Sequence, residues 1–319
     1  MAKVEPPTEN ESKTAIFAAI IGNLVIAVTK FVASAFTGSS AMLTEGIHSV
    51  VDTGNGLLML YGLKKSTKPP DEAHPFGHGR ELYFWTLIVA VSIFGVGGGV
   101  SVVEGITHIL HPVPIENPGW NYAVLGASFV FESISWVYGW RAFSKTRLGR
   151  PILETIHVSK DPTSFTVLLE DTAALLGLAI AFVGVLLGHE FGIPFFDGAA
   201  SILIGTLLCV VALFLGYESK SLLVGESVDR KTLDGIRQIA ESQPEVERAL
   251  KILTVYSGPN EVVLTLELDF ADGISAVDLR KVIRRIENLV KESYTDVTRV
   301  YYEAESLSER EIIESAETI

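Results

Sequence analysis

The stretch EGIHSVVD sets His48 and Asp52 four residues apart inside an otherwise apolar segment, with Glu45 three residues before the histidine. On a helix that spacing stacks imidazole and carboxylate on a single face and brings Glu45 near the same stripe. A neutral imidazole and a carboxylate are ligands for Zn²⁺ and similar divalent ions. Two ligands from one helix make half a tetrahedron, so the rest must come from elsewhere. TVLLEDTAALLG offers them: Glu170 and Asp171 are the acidic residues of a second apolar run. Adjacent residues point about 100° apart on a helix, so one of the two faces the His48–Asp52 pair; spacing alone leaves open which. Charges in lipid are unfavourable by roughly 2.5–3.5 kcal/mol or more at a helix centre, which makes all of these residues candidates for ion handling. The plain alternative is a His–Asp pair that only holds two helices together. For Glu45, orienting His48 is as good an expectation as direct ligation.

A second cluster, DEAHPFGHGREL, places His74 and His78 four residues apart, with Asp71 three before His74. Pro75, Gly77 and Gly79 mark it as a loop entering a helix. It is a plausible metal site, against a structural loop whose histidines bond backbone carbonyls. Glu104 and Glu132 are isolated carboxylates in apolar runs, better suited to interhelix hydrogen bonds or proton handling than to metal. His108, His111, His157 and His189 fall near segment ends and receive no role.

The elements that must position these groups are helices in a membrane. Leu82 to Val103 carries no charge, nor does Gly198 to Tyr217, and about 20 apolar residues span the hydrocarbon core. Six spans are expected, near 15–37, 41–63, 82–110, 120–143, 162–187 and 197–217. The third is longer than a crossing needs, so it is tilted or projecting. Lys64, Lys65, Lys68 and Arg80 fall between spans two and three. Arg141, Lys145, Arg147, Arg150 and Lys160 fall between spans four and five, while the alternate loops GSS, HPVPIENPGW and GHEFGIPFF hold neither Lys nor Arg. This segregation puts both termini on the cytoplasmic side; which membrane is involved stays open.

After Tyr217 the pattern becomes that of a soluble domain. A helix is expected over 229–241, strands over 249–256 and 261–270 separated by the turn SGPN, a helix over 275–292 with Leu279, Ile283, Ile286 and Val290 on one face, and a strand over 298–302. The expected fold is therefore an all-α six-helix transmembrane domain plus a C-terminal cytoplasmic α+β (α-β-β-α-β) domain. Its divisions are a polar tail (1–13), the transport domain (14–217), a dimerisation domain (218–305) and an acidic tail (306–319).

A net charge of −13 over 319 residues argues against nucleic acid as a partner. The lone cysteine, Cys209, excludes an internal disulfide and a Cys-rich metal cluster. The polar, acidic start lacks the layout of a cleaved secretory signal. No Walker-type loop is present to supply nucleotide energy, and no HExxH is present to suggest a metalloprotease. The chain therefore reads as a transporter rather than an enzyme, with no prosthetic group and a transported divalent metal. One imidazole with two or three carboxylates favours Zn²⁺ over Ca²⁺ or Mg²⁺ without excluding Mn²⁺, Fe²⁺ or Co²⁺. A non-transporting membrane metal sensor is the main rival reading.

GIHSVVDTGN on the second span resembles the His-xxx-Asp transport motif of the cation diffusion facilitator family. HPFGHGRE resembles that family's His-Pro-aromatic-Gly-His-Gly signature, and VVEGITHILHP and the α+β tail extend the likeness over roughly residues 14–305. LLEDTAALLG and ESVD are similar to the branch containing zinc transporter nine. The resemblance implies a homodimer that exchanges a divalent transition metal for protons and moves metal out of the cytosol. It matches His48 and Asp52 to the second-span ligands, Asp171 to the fifth-span aspartate, and Asp71, His74 and His78 to an intracellular-loop site. Val167 stands where the family has a ligating residue four before Asp171, which turns attention to Glu170 or water. The domain from Glu218 onward holds no histidine, so any metal sensing there would need carboxylates alone.

Overall fold

The computed structural model describes residues 9–113, 118–146, 151–152, 155–156 and 160–305. The start of the polar tail, the acidic tail from residue 306, the basic-loop residues Arg147 and Arg150, and His157 lie outside them.

The described chain forms two compact units. The first is helical and comprises the chain up to Lys64, Phe84–Ile156 and Pro162–Lys220. The second takes Lys65–Tyr83, a short stretch ending at Asp161, and the chain from Ser221 on. The histidine-bearing loop thus belongs, by its contacts, with the α+β unit.

Six long helices build the first unit: α1 (Glu9–Thr37), α2 (Ser40–Ser66), α3 (Glu81–Leu110), α4 (Gly119–Thr146), α5 (Pro162–Phe191) and α6 (Phe195–Val224). Glu81–Leu110, Phe165–Phe191 and Phe195–Val224 are long and apolar enough to cross a membrane. The molecule has a helical transmembrane domain followed by a small mixed α+β domain, as expected from the sequence. Leu203, Val210 and Leu213 of α6 and Val91, Val96 and Val103 of α3 are exposed, as befits helices solvated by lipid. Without a hydrophobic drive between lipid-solvated helices, close packing depends on small residues. Gly98 and Gly105 of α3 face Gly205 and Gly198 of α6; a Cβ on Gly98 would stand 2.8 Å from the Gly205 carbonyl oxygen, and one on Gly105 would stand 2.6 Å from that of Gly198. Midway along α3 the residues Ile93–Gly99 wind as a π-helix. Such a wide turn absorbs an extra residue, and this glycine-rich stretch has few side chains to resist it.

The second unit has the order α7 (Arg230–Glu241), β1 (Val246–Gly258), β2 (Glu261–Phe270), α8 (Ala276–Ser293) and β3 (Val297–Glu305). The sheet order is β1-β2-β3. β1 and β2 form an antiparallel hairpin running from Gly258↔Glu261 to Val246↔Phe270, while β3 lies parallel to β2 from Val262↔Val297 to Asp269↔Glu305. Asp229 caps α7 by accepting from the Thr232 N–H, and Ser275 caps α8 by accepting from the Asp278 N–H. Ile286 and Val290 are buried against Leu264, Leu266 and Leu268, while Leu279 and Ile283 flank that core.

Candidate metal centre

Glu45, His48, Asn55, Met59 and Gly62 are the buried residues of α2 at helical spacing, with Asp52 on the same stripe. Gly46 and Gly62 bring neighbours close to this helix: a Cβ at Gly46 would stand 3.1 Å from the Phe31 ring of α1, and one at Gly62 would stand 2.7 Å from Trp85 Cβ of α3. His48 is 2% exposed, and its Nδ1 lies 3.3 Å from Asp52 Oδ1. The two are not aligned for a hydrogen bond. Neither ring nitrogen of His48 nor Asp52 Oδ1 has a hydrogen-bond partner. Buried polar atoms without a partner are rare because each forfeits its hydration; free donors of this chemistry suit a cation.

α5 resolves the adjacent acidic pair by direction. Glu170 is turned toward α2, where Asn55 Nδ2 donates to its Oε1 at 2.8 Å. Asp171 is turned toward α4, accepting from Ser135 Oγ at 2.9 Å, beside a bond from Trp136 Nε1 to Thr172 Oγ1 at 3.0 Å. Val167 is 38% exposed and brings no polar atom. Glu132 of α4 is buried. The His48 imidazole and the Asp52 and Glu170 carboxylates lie along the α2–α5 contact that the Asn55 bond marks. They do not close into a compact shell. Among the described residues, the one triad whose ligand atoms all lie within 4.8 Å of one another is Asp71, His74 and His78.

Glu45 has a partner that the sequence did not suggest. Lys30 of α1 donates to its Oε2 at 3.0 Å, and both side chains are fully buried. The ion pair occupies Glu45, and Glu104 is a half-buried residue of α3. Asp197, at the start of α6, is also buried. It accepts from Ser39 Oγ at 2.6 Å, from Ser40 Oγ at 2.9 Å and from the Ala41 N–H at 3.3 Å, so a carboxylate from α6 caps α2. His108 Nε2 is 3.6 Å from the same carboxylate. No local spacing links residues so far apart in sequence.

The loop cluster is built by a tight turn. The His74 N–H donates to Asp71 Oδ1 at 2.7 Å and the Gly77 N–H to the His74 carbonyl at 2.9 Å, with Gly77 at φ 90°. Asp71 Oδ1 is 3.2 Å from His74 Nδ1, and Asp71 Oδ2 is 3.0 Å from His78 Nε2. The two imidazole centroids are 4.3 Å apart. The His74 backbone N–H, then the His78 ring, hold the Asp71 carboxyl down at about 2. Within the same unit, Arg299 of β3 donates to the Pro75 carbonyl at 2.7 Å and lies 5.3 Å over the Phe76 ring.

Residues 16–224 match the pattern of the cation efflux transmembrane domain. The chain is 35% identical over 243 residues to the mouse protein named proton-coupled zinc antiporter SLC30A9, mitochondrial, covering 76% of this chain and 43% of that protein. It is 31% identical over 264 residues to metal tolerance protein C4 of Arabidopsis thaliana, covering 82% and 58% of the two chains. With the cation-efflux pump FieF of Citrobacter koseri it shares 26% identity over 280 residues, covering 88% and 87%. The chain thus spans less than half the length of the mouse relative. Two of these relatives are named as an antiporter and an efflux pump, not as enzymes. On the match over residues 16–224 and these likenesses, the chain belongs to the cation diffusion facilitator family of cation efflux transporters, close to the branch of zinc transporter nine.

Proposed function

We propose that the protein exports a divalent transition metal, Zn²⁺ first, in exchange for protons. In this reading the ion is held by His48 and Asp52 of α2 with the Glu170/Asp171 pair of α5, Glu170 being the member turned toward α2. The observation that carries it is His48: a buried imidazole against Asp52 with both nitrogens free of hydrogen bonds. A donor set in which the pieces lie near one another without closing suits a carrier, whose cargo must leave as well as enter. Metal ligation needs deprotonated donors, so binding releases protons and protons drive release. That linkage yields antiport without a nucleotide. The same donor set suits Mn²⁺, Fe²⁺ or Co²⁺, so the metal is settled by measurement.

In the same reading all six long helices cross the bilayer, with both termini on the cytoplasmic side. The transport domain is residues 14–217, and residues 218–305 supply homodimer contacts. Asp71, His74 and His78 form a second, solvent-facing metal site. Flux of Zn²⁺ into proteoliposomes under an imposed pH gradient, compared with the His48→Ala/Asp52→Ala variant, tests the reading. Flux that is pH-driven and lost in the variant supports it; flux unchanged by the double substitution refutes it.

A further inference from the structure

Lys30 is a fully buried cation in an apolar helix. Its ammonium donates to Glu45 Oε2 at 3.0 Å and to Ser49 Oγ at 2.9 Å. Glu45 precedes His48 by three residues on the same face, and Ser49 follows it directly. A buried ion pair is a poor device for stability alone, since apolar residues of like volume often serve as well. In lipid, its desolvation is more unfavourable still. Its place beside the proposed site gives it another use.

We propose that Lys30 is a specificity-determining residue: a tethered cation that occupies the Glu45 carboxylate, keeps it out of the metal's coordination shell and limits the negative charge beside His48. The proposal rests on the reading that the metal sits at His48 and Asp52.

The geometry shows what each partner does when the other is lost. Glu45 Oε1 has no hydrogen-bond partner and lies at Gly177 of α5, 2.5 Å from where a Cβ would be. Freed from Lys30, Glu45 is an additional oxygen donor on the face that carries His48. The site then binds a dication more tightly, and its richer oxygen content moves preference toward harder ions such as Mn²⁺. If Glu45 is neutralised instead, the Lys30 charge is uncompensated and repels the incoming dication. The two single substitutions therefore act in opposite directions, and the double substitution cancels them. A pair that merely tied α1 to α2 would not behave so.

The test uses the purified full-length protein carrying His74→Ala and His78→Ala to silence the loop cluster, with Zn²⁺ and Mn²⁺ affinities read by competition against a chromophoric chelator. Lys30→Met raises Zn²⁺ affinity by about tenfold and raises Mn²⁺ affinity more, and Glu45→Gln lowers Zn²⁺ affinity by about tenfold. Lys30→Met/Glu45→Gln returns to the parent within about threefold. Lys30→Gln keeps a donor for Glu45 and Ser49 without the charge; loss of the charge alone raises Zn²⁺ affinity there, by less than in Lys30→Met, and this variant serves in its place if the methionine variant does not fold. Both single variants weakening Zn²⁺ binding, or Lys30→Gln leaving it unchanged, overturns the proposal. His48→Ala/Asp52→Ala in the same assay separates the two levels. Zn²⁺ binding retained there overturns the site reading and this inference with it. Binding lost there, without the opposed signs, overturns the role of Lys30 alone.

Discussion

Asn55 Nδ2 donates to Glu170 Oε1 at 2.8 Å, and this bond ties α2 to α5 on the stripe that carries His48 and Asp52. It also separates the roles of two adjacent acids, because Asp171 is held by Ser135 on α4 instead. In the Zn²⁺ competition assay Glu170→Gln is expected to weaken binding by roughly 10–100-fold and Asn55→Ala by about tenfold, through loss of orientation. Asp171→Asn should weaken it less than Glu170→Gln. The reverse order would mean that α5 turns during metal binding to present Asp171.

The fold was legible in the sequence wherever a period or a charge run was strong. Apolar runs marked the long helices, and the α-β-β-α-β order after Tyr217 followed from alternation and turn residues. The strand expected from 249 begins at Val246, because pairing with Phe270 extends the hairpin past the alternating core. The site was legible only in part. His48 and Asp52 share one helix, and Asp71, His74 and His78 share one loop, so local spacing groups them. The Asn55–Glu170, Lys30–Glu45 and His108–Asp197 contacts join distant segments, and no one-dimensional period encodes them. The direction of Glu170 as against Asp171 depends on the rotation of α5, which its neighbours set.

Asp71 carries the turn of the histidine loop. Its folded value, held down at about 2, lies below the ordinary aspartate value of about 3.9. The contribution of this carboxylate to the folded loop is therefore complete above pH ~4 and fades as pH falls toward 2. In a pH titration followed by carboxyl ¹³C shifts, the Asp71 midpoint should fall below that of ordinary aspartates. Asp71→Asn should weaken Zn²⁺ binding at this loop while leaving binding at His48 and Asp52 in place. A midpoint near 4 would contradict the turn geometry.

The α3–α6 contact should be intolerant of side chains. Gly98→Val places carbon 2.8 Å from the Gly205 carbonyl oxygen, a backbone atom that cannot swing aside. Overpacking of this kind destabilises by about 1–3 kcal/mol, read as a lower melting temperature in detergent. Gly95→Val is the control, since nothing lies within 4 Å of its Cβ direction, and it should melt close to the parent.

The central claim is that a divalent metal passes through the His48–Asp52 site in exchange for protons. The most direct measurement records Zn²⁺ uptake and proton efflux together in proteoliposomes, for the parent and for His48→Ala/Asp52→Ala. The account predicts that the two fluxes rise and fall together in the parent and that both drop by about 100-fold or more in the variant. Metal flux that continues in the variant, or that proceeds in the parent with no proton movement, would contradict it.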